Sequence, residues 1–170
     1  MNKQFVDTYE LTRSEQSIQG QAPLRQFSRF TANLQPQSDG NVEWTITGGR
    51  NATEQQFLDL HVVATPIVQC QRCMGNMPYP LNVSSRLQVV KTEAELDVED
   101  DPEASPDEWI EPILASTNLD VLALVEDELI LGLQYVPMHE TCSTEELEQS
   151  QQMPEPEPSP FAVLSQLKKN

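Results

Sequence analysis

Two cysteines three residues apart, Cys70 and Cys73, with Gly75 two residues beyond the second, stand between two long β-patterned runs, and no other stretch restricts the chain so strongly. That spacing closes a tight turn with both sulfurs on one side, as in half of a zinc site or in a dithiol pair. Such a turn belongs at the tip of a hairpin rather than on a helix. The third cysteine, Cys142, follows the longest helical pattern in the chain, and His139 precedes it by three residues.

The runs around the turn read as an antiparallel meander. Gln16 to Pro23 is a short strand, and Val42, Trp44 and Ile46 alternate with Glu43, Thr45 and Thr47, the period of a half-buried strand. Gly48-Gly49-Arg50-Asn51 is a turn signal. Leu58, Leu60, Val62 and Ala64 then alternate with Asp59, His61 and Val63 in a run from Phe57 to Val68, where Pro66 suggests an edge or a bulge. His61 reads as an ordinary half-exposed strand residue. After the cysteine turn, Leu81, Val83, Ser85, Leu87 and Val89 share one face of a strand, and Trp109, Ile110, Ile113 and Leu114 re-enter the sheet as a short edge strand.

Two helices are predicted. Leu24, Phe27, Phe30 and Leu34 recur every three or four residues up to Pro36, with Arg25 and Arg29 together on another face. The second runs from an N-cap at Asn118 to Gln134, with Leu122, Val125, Leu129 and Leu133 as its apolar stripe and Pro137 as its stop. Its breadth of apolar residues buries most of the circumference and assigns Glu126-Asp127-Glu128 to a narrow wet side. Residues 1–15 carry weak patterning and are read as irregular.

Charge divides the chain. Residues 1–91 are nearly neutral, whereas Thr92 to Leu167 holds twenty acids and no Lys or Arg, within a formal net charge of −17. Phosphate backbones attract cations and repel carboxylates, so a nucleic-acid contact would have to use the first half, where Arg25, Arg29, Arg50, Arg72, Arg86 and Lys91 are found, with Arg25, Arg29, Arg72 and Arg86 as the expected contacts. The acidic half suits a basic protein, or serves solubility alone. Within it, a segment at about 93–108 is too acidic and too poor in apolar residues to offset its ordering entropy and is read as a mobile loop. Residues 151–160 form a Pro/Glu linker that favours polyproline geometry. Residues 161–170 carry Phe161 and Leu164 at helical spacing and read as a short docking segment that folds back or binds a partner. The division is thus a single domain over residues 1–150, a linker and a tail.

Several classes are disfavoured. Three cysteines, with no apolar run behind the N-terminal charge, point to a reducing cytoplasm, and Glu126-Asp127-Glu128 interrupts the longest apolar run, which argues against a membrane span. There is no phosphate-cradling glycine loop, no GxSxG and no HExxH, so neither a small-molecule substrate nor a catalytic site is expected. A redox dithiol at Cys70 and Cys73 is disfavoured because such pairs belong at a helix N-terminus, where the dipole lowers the thiol pKa.

Three blocks carry a resemblance. They are Cys70-Gln71-Arg72-Cys73 between strands; Leu119 to Leu131 followed by Val136-Pro137-Met138-His139; and Pro160-Phe161-Ala162-Val163-Leu164 with Leu167-Lys168-Lys169. In this order they resemble the YceD family, the large ribosomal RNA subunit accumulation proteins of bacteria and plastids. The resemblance implies a non-enzymatic ribosome-biogenesis factor needed for 23S rRNA accumulation, binding large-subunit precursor RNA or a basic ribosomal protein. The helix block resembles the proteobacterial branch, and members outside that branch often carry enough further cysteines for a four-sulfur zinc site. This chain has only Cys142, with His139 as the candidate fourth ligand, which makes a zinc-binding adaptor the alternative reading. The expected fold is α+β: a curved antiparallel sheet, barrel-like if it closes, covered by the helix near 119–134.

Overall fold

The computed structural model describes residues 5–37, 39–96 and 110–142. Five strands form the main sheet: β2 (Ser17–Pro23), β3 (Asn41–Arg50), β4 (Gln56–Ala64), β7 (Leu81–Val90) and β8 (Glu111–Leu114), in the order β2-β3-β4-β7-β8. Two edges, β2 and β8, remain, so the sheet is open and not a barrel. Neighbours are antiparallel except β7 and β8, which run parallel. A parallel pair needs a crossover of a dozen residues or more, and residues 91–110 supply that length.

Register places the alternating apolar residues on one face. Ile46 lies opposite both Ile18 and Leu60, Trp44 opposite Val62, and Leu58 opposite Leu87. Val42, Ile46, Leu58 and Val62 are fully buried there. Phe27 meets Trp44 edge to face at 6.5 Å between ring centroids. The strand alternation read from sequence therefore holds, with two changes at the ends. Gly48 and Gly49 lie within β3, and the turn comes later, where the Asn51 side chain accepts from the backbone N–H of Thr53 and of Gln55. Phe57 to Val68 is not one strand either: past Pro66 the chain leaves the sheet as β5 (Ile67–Gln69).

Helix α3 (Val121–Gly132) covers the apolar face, with Val121, Val125 and Leu129 fully buried. Its cap is Asp120, whose carboxylate accepts from Leu122 N and Ala123 N; Asn118 lies outside the helix. Gly132 permits close approach to the sheet, since a Cβ there would stand 2.2 Å from Val83 Cγ2. The burial predicted for α3 is incomplete at its C-terminal end, where Ile130 is 42% and Leu131 71% exposed.

The acids of α3 correct the expected wet side. Only Asp127 faces solvent, while Glu126 and Glu128 are buried. Glu126 is spent on a neighbouring helix. The amphipathic pattern from Leu24 is realised as a 3-10 turn (Leu24–Gln26) and a single short helix, α2 (Ser28–Thr31), broken at Phe27. Phe27 offers no side-chain cap, and Glu126 Oε1 replaces it by accepting from Arg29 N at 2.7 Å and Phe30 N at 3.2 Å. Leu24, Phe27 and Phe30 are still buried as the spacing required.

Residues 5–13 form regular elements, contrary to the irregular reading of residues 1–15, of which the first four lie outside the described residues. Strand β1 (Phe5–Val6) pairs with β9 (Leu119–Asp120), and helix α1 (Thr8–Arg13) starts from Asp7, which accepts from Tyr9 N and Glu10 N. α1 lies so close to β3 that a Cβ on Gly48 would meet the Leu11 carbonyl at 2.3 Å. Thr8 and Ser116 exchange backbone and hydroxyl hydrogen bonds, fastening the start of the domain to the entry of α3. Residues 97–108 of the acidic segment, the linker and the tail lie outside the described residues; Glu93–Glu95 is a 3-10 turn. No helix among the described residues is long and apolar enough to cross a membrane.

Candidate metal centre

β5 and β6 (Asn76–Pro78) form a small antiparallel hairpin of their own, projecting from the main sheet. The cysteine turn is its tip. Cys70 N donates to Gly75 O and Met74 N to Cys70 O, both at 2.9 Å, which closes the loop that the Cys-x-x-Cys spacing predicts. Met74 takes a positive φ of 63° at the bend. Below the tip, Val68, Cys70, Cys73 and Met77 form a second small apolar cluster, with Leu34, Tyr79 and Leu133 against it.

The loop after α3 returns to this tip. Gln71 N donates to Pro137 O at 2.9 Å, which docks the loop and delivers His139 and Cys142. One ligand atom from each of Cys70, Cys73, His139 and Cys142 then lies within 4.8 Å of the others. The three cysteines are free thiols; Cys70 and Cys73 are buried and Cys142 half-buried.

The spacings fit a tetrahedral ion. With Zn–S of about 2.3 Å and Zn–N of about 2.0–2.1 Å, the edges of such a site are about 3.8 Å between sulfurs and about 3.6 Å between sulfur and nitrogen. Cys70 Sγ to Cys142 Sγ is 3.8 Å; His139 Nδ1 lies 3.3 Å from Cys73 Sγ and 3.9 Å from Cys142 Sγ. The donor set is three soft sulfurs and one imidazole, a combination that suits zinc.

The surroundings supply donors to sulfur. Desolvation pushes the Cys70 thiol up, but backbone N–H groups of Cys73, His139 and Arg72 outweigh it and bring the group from 9.0 to about 5. Cys73 goes the other way: desolvation carries it to about 11 against the Gly75 N–H, with the Cys142 and Cys70 sulfurs adding to the rise. Arg72 Nε donates to Cys142 Sγ at 3.0 Å, and its Nη2 donates to His139 O at 2.8 Å. The Cys142 contact is the main cause of the raised Arg72 pKa. Arg72 thus sits in the outer shell of the cluster, orienting two of its members. Its position between the two cysteines is the sequence signal for this role, beside the partner contact expected of it.

The other expected contact residues lie on separate elements. Arg25 faces Asp39 at 3.4 Å. Arg29, on α2, binds Glu126 at 2.9 Å and Asp127 at 2.7 Å. Arg86 projects from the outer face of β7, holds Asp59 through two hydrogen bonds and lies 5.8 Å from the Phe57 ring centroid. His61 is an exposed strand residue hydrogen-bonded to Asn82. Phe161 and Leu164 lie outside the described residues.

The fold and the cluster define a class: a small α+β domain whose projecting hairpin is tied, through three cysteines and a histidine, to the loop leaving its main helix. A family model described as large ribosomal RNA subunit accumulation protein YceD matches residues 58–168, and the chain belongs to that family. It is 38% identical over 110 residues to the large ribosomal RNA subunit accumulation protein YceD of Haemophilus influenzae, an alignment covering 59% of each chain. The match spans less than two thirds of that relative's length. No solved structure matches the chain.

Proposed function

We propose that the protein is a non-enzymatic, cytoplasmic factor of large-subunit assembly, needed for accumulation of 23S rRNA, and that it acts by holding a basic ribosomal protein. Family membership supports the role in large-subunit rRNA accumulation. The state of the arginines supports the holding of a basic protein. RNA binding draws its strength from cations free to displace counterions, and five of the six arginines are engaged: Arg25, Arg29, Arg50 and Arg86 are each paired with an acid and Arg72 with the cysteine cluster, which leaves Arg13. The twenty acids after Lys91 offer a field that attracts a basic chain and repels phosphate.

Direct binding of precursor RNA through Arg25, Arg29, Arg72 and Arg86 would require those pairs to be exchanged for phosphates. Within the proposal the cysteine cluster is a structural zinc site: Cys70, Cys73, His139 and Cys142 would hold the ion, which would fasten the hairpin to the α3 exit and supply no chemistry. A dithiol role fits less well, because the pair lies on a turn between strands and a third sulfur and an imidazole crowd it. Depleting the protein tests the function. The ratio of 23S to 16S rRNA should fall and be restored by the intact chain; an unchanged ratio would refute the assignment.

A further inference from the structure

Ten large apolar side chains are well exposed among the described residues, and half of them fall within nine consecutive positions: Ile130, Leu131, Tyr135, Val136 and Met138. Tyr135 is 98% exposed, which a tyrosine with a structural task would not be. Met74 at the hairpin tip, 53% exposed, joins the same end of the molecule because Gln71, three residues earlier, is bonded to Pro137. The cysteine cluster fixes this loop from beneath, so the apolar residues are presented on a held backbone. Scattered surface leucines need no explanation, but a continuous run of this kind marks a contact surface.

Its electrostatic setting selects the occupant. Residues 129–138 contain no charged side chain. Of the acids on either side among the described residues, Asp127 and Glu140 are exposed, whereas Glu126 and Glu128 are buried. The two arginines that reach the surroundings are committed, Arg29 to Glu126 and Asp127, and Arg72 to Cys142 and the His139 carbonyl. A membrane surface or an RNA, both anionic, is poorly matched to a chain of net charge −17 whose twenty acids after Lys91 fall in the same half of the sequence as the strip. An apolar strip between acidic flanks is complementary to a segment that is apolar on one side and basic on the other. We propose that Ile130, Leu131, Tyr135, Val136 and Met138, with Met74, form the docking surface for a basic amphipathic segment of the protein partner. This rests on the reading that the partner is a basic protein and adds where it is held.

The test places the photo-crosslinking residue p-benzoylphenylalanine at position 135 of the full chain and, as a control, at Val63, which is 38% exposed on the open face of the sheet. Adducts formed in growing cells are sequenced. The expected result is a basic ribosomal protein joined at position 135 and not at 63. With that protein purified, a Leu131→Asp, Tyr135→Asp double variant should bind about tenfold or more weakly, as loss of anchor side chains does, at an unchanged Tm. Adducts at 135 with RNA, with a second copy of the chain, or with its own residues 161–170 would overturn the proposal, as would no adduct there. A basic protein found at 63 alone would sink this surface but leave the proposed function standing. Absence of a basic protein at both positions, together with none in a nuclease-treated purification, would remove the binding reading itself.

Discussion

Glu126 and Glu128, two residues apart on α3, show how position on a helix divides one composition into different tasks. The Glu126 carboxylate replaces a missing cap on α2, so Glu126→Ala leaves two backbone N–H groups without acceptors. It should cost about 2 kcal/mol, a fall in Tm of about 4–8 °C by thermal denaturation. Glu126→Gln, which keeps an acceptor, should cost less. Glu128 is pushed above its ordinary 4.5 mainly by burial, with Ser85 partly offsetting and Glu111 and Asp127 adding. A raised carboxyl binds its proton more tightly when folded. Its contribution is therefore full below pH 4.5 and lost as pH climbs through the raised value. Glu128→Gln should stabilise the protein at pH 7 and flatten that part of the stability profile; a variant less stable than the parent at pH 7 would contradict the burial argument. Neither role was legible in the sequence, because both depend on what packs over α3. The four cluster residues were legible, since Cys-x-x-Cys and His-x-x-Cys spacings are local.

Elements fared according to how local their causes were. Period-two alternation exposed β3, β4 and β7, because register across a buried face obeys the same rule everywhere. Helix α1 escaped notice: six residues give too little periodicity, and its stability comes from the Asp7 cap, the Thr8–Ser116 bonds and contact with Gly48. The break of the second pattern at Phe27 was equally hidden, since its cap is supplied by Glu126 from far along the chain. Close packing at α3 gives a sharp expectation. Gly132→Ala forces a Cβ into Val83 and should cost about 1–3 kcal/mol, whereas the Gly49 position, with open space around it, should tolerate alanine sterically. The hairpin of β5 and β6, with three residues per strand, has little core of its own. Metal should account for much of its order: protein purified without chelator should carry one zinc per chain, and Cys70→Ser or Cys142→Ser should abolish it. Chelation should lower the Tm. Metal-free protein with unaltered stability would remove zinc from the account.

At the scale of the whole molecule, the charge polarity visible in the sequence takes on a meaning the sequence could not give it. Counting cations suggested an RNA-facing half, but Arg25, Arg29 and Arg86 are each paired with a carboxylate of the same chain, and the sequence holds acids in excess. What the sequence could not show was the exposed apolar strip at the end of α3, because Ile130 and Leu131 at helical spacing read as core and Tyr135, Val136 and Met138 past the helix carry no periodicity. Under the proposed function the strip and the acids together would clamp a basic partner, with the cysteine cluster holding the loop in place. The most direct measurement is purification of the tagged full chain from growing cells at low and high salt, with and without nuclease, and identification of what remains. A basic large-subunit ribosomal protein retained after nuclease and weakened by salt is the predicted result. Retention of large-subunit precursor RNA fragments alone, with every basic protein lost once the RNA is cut, would contradict it.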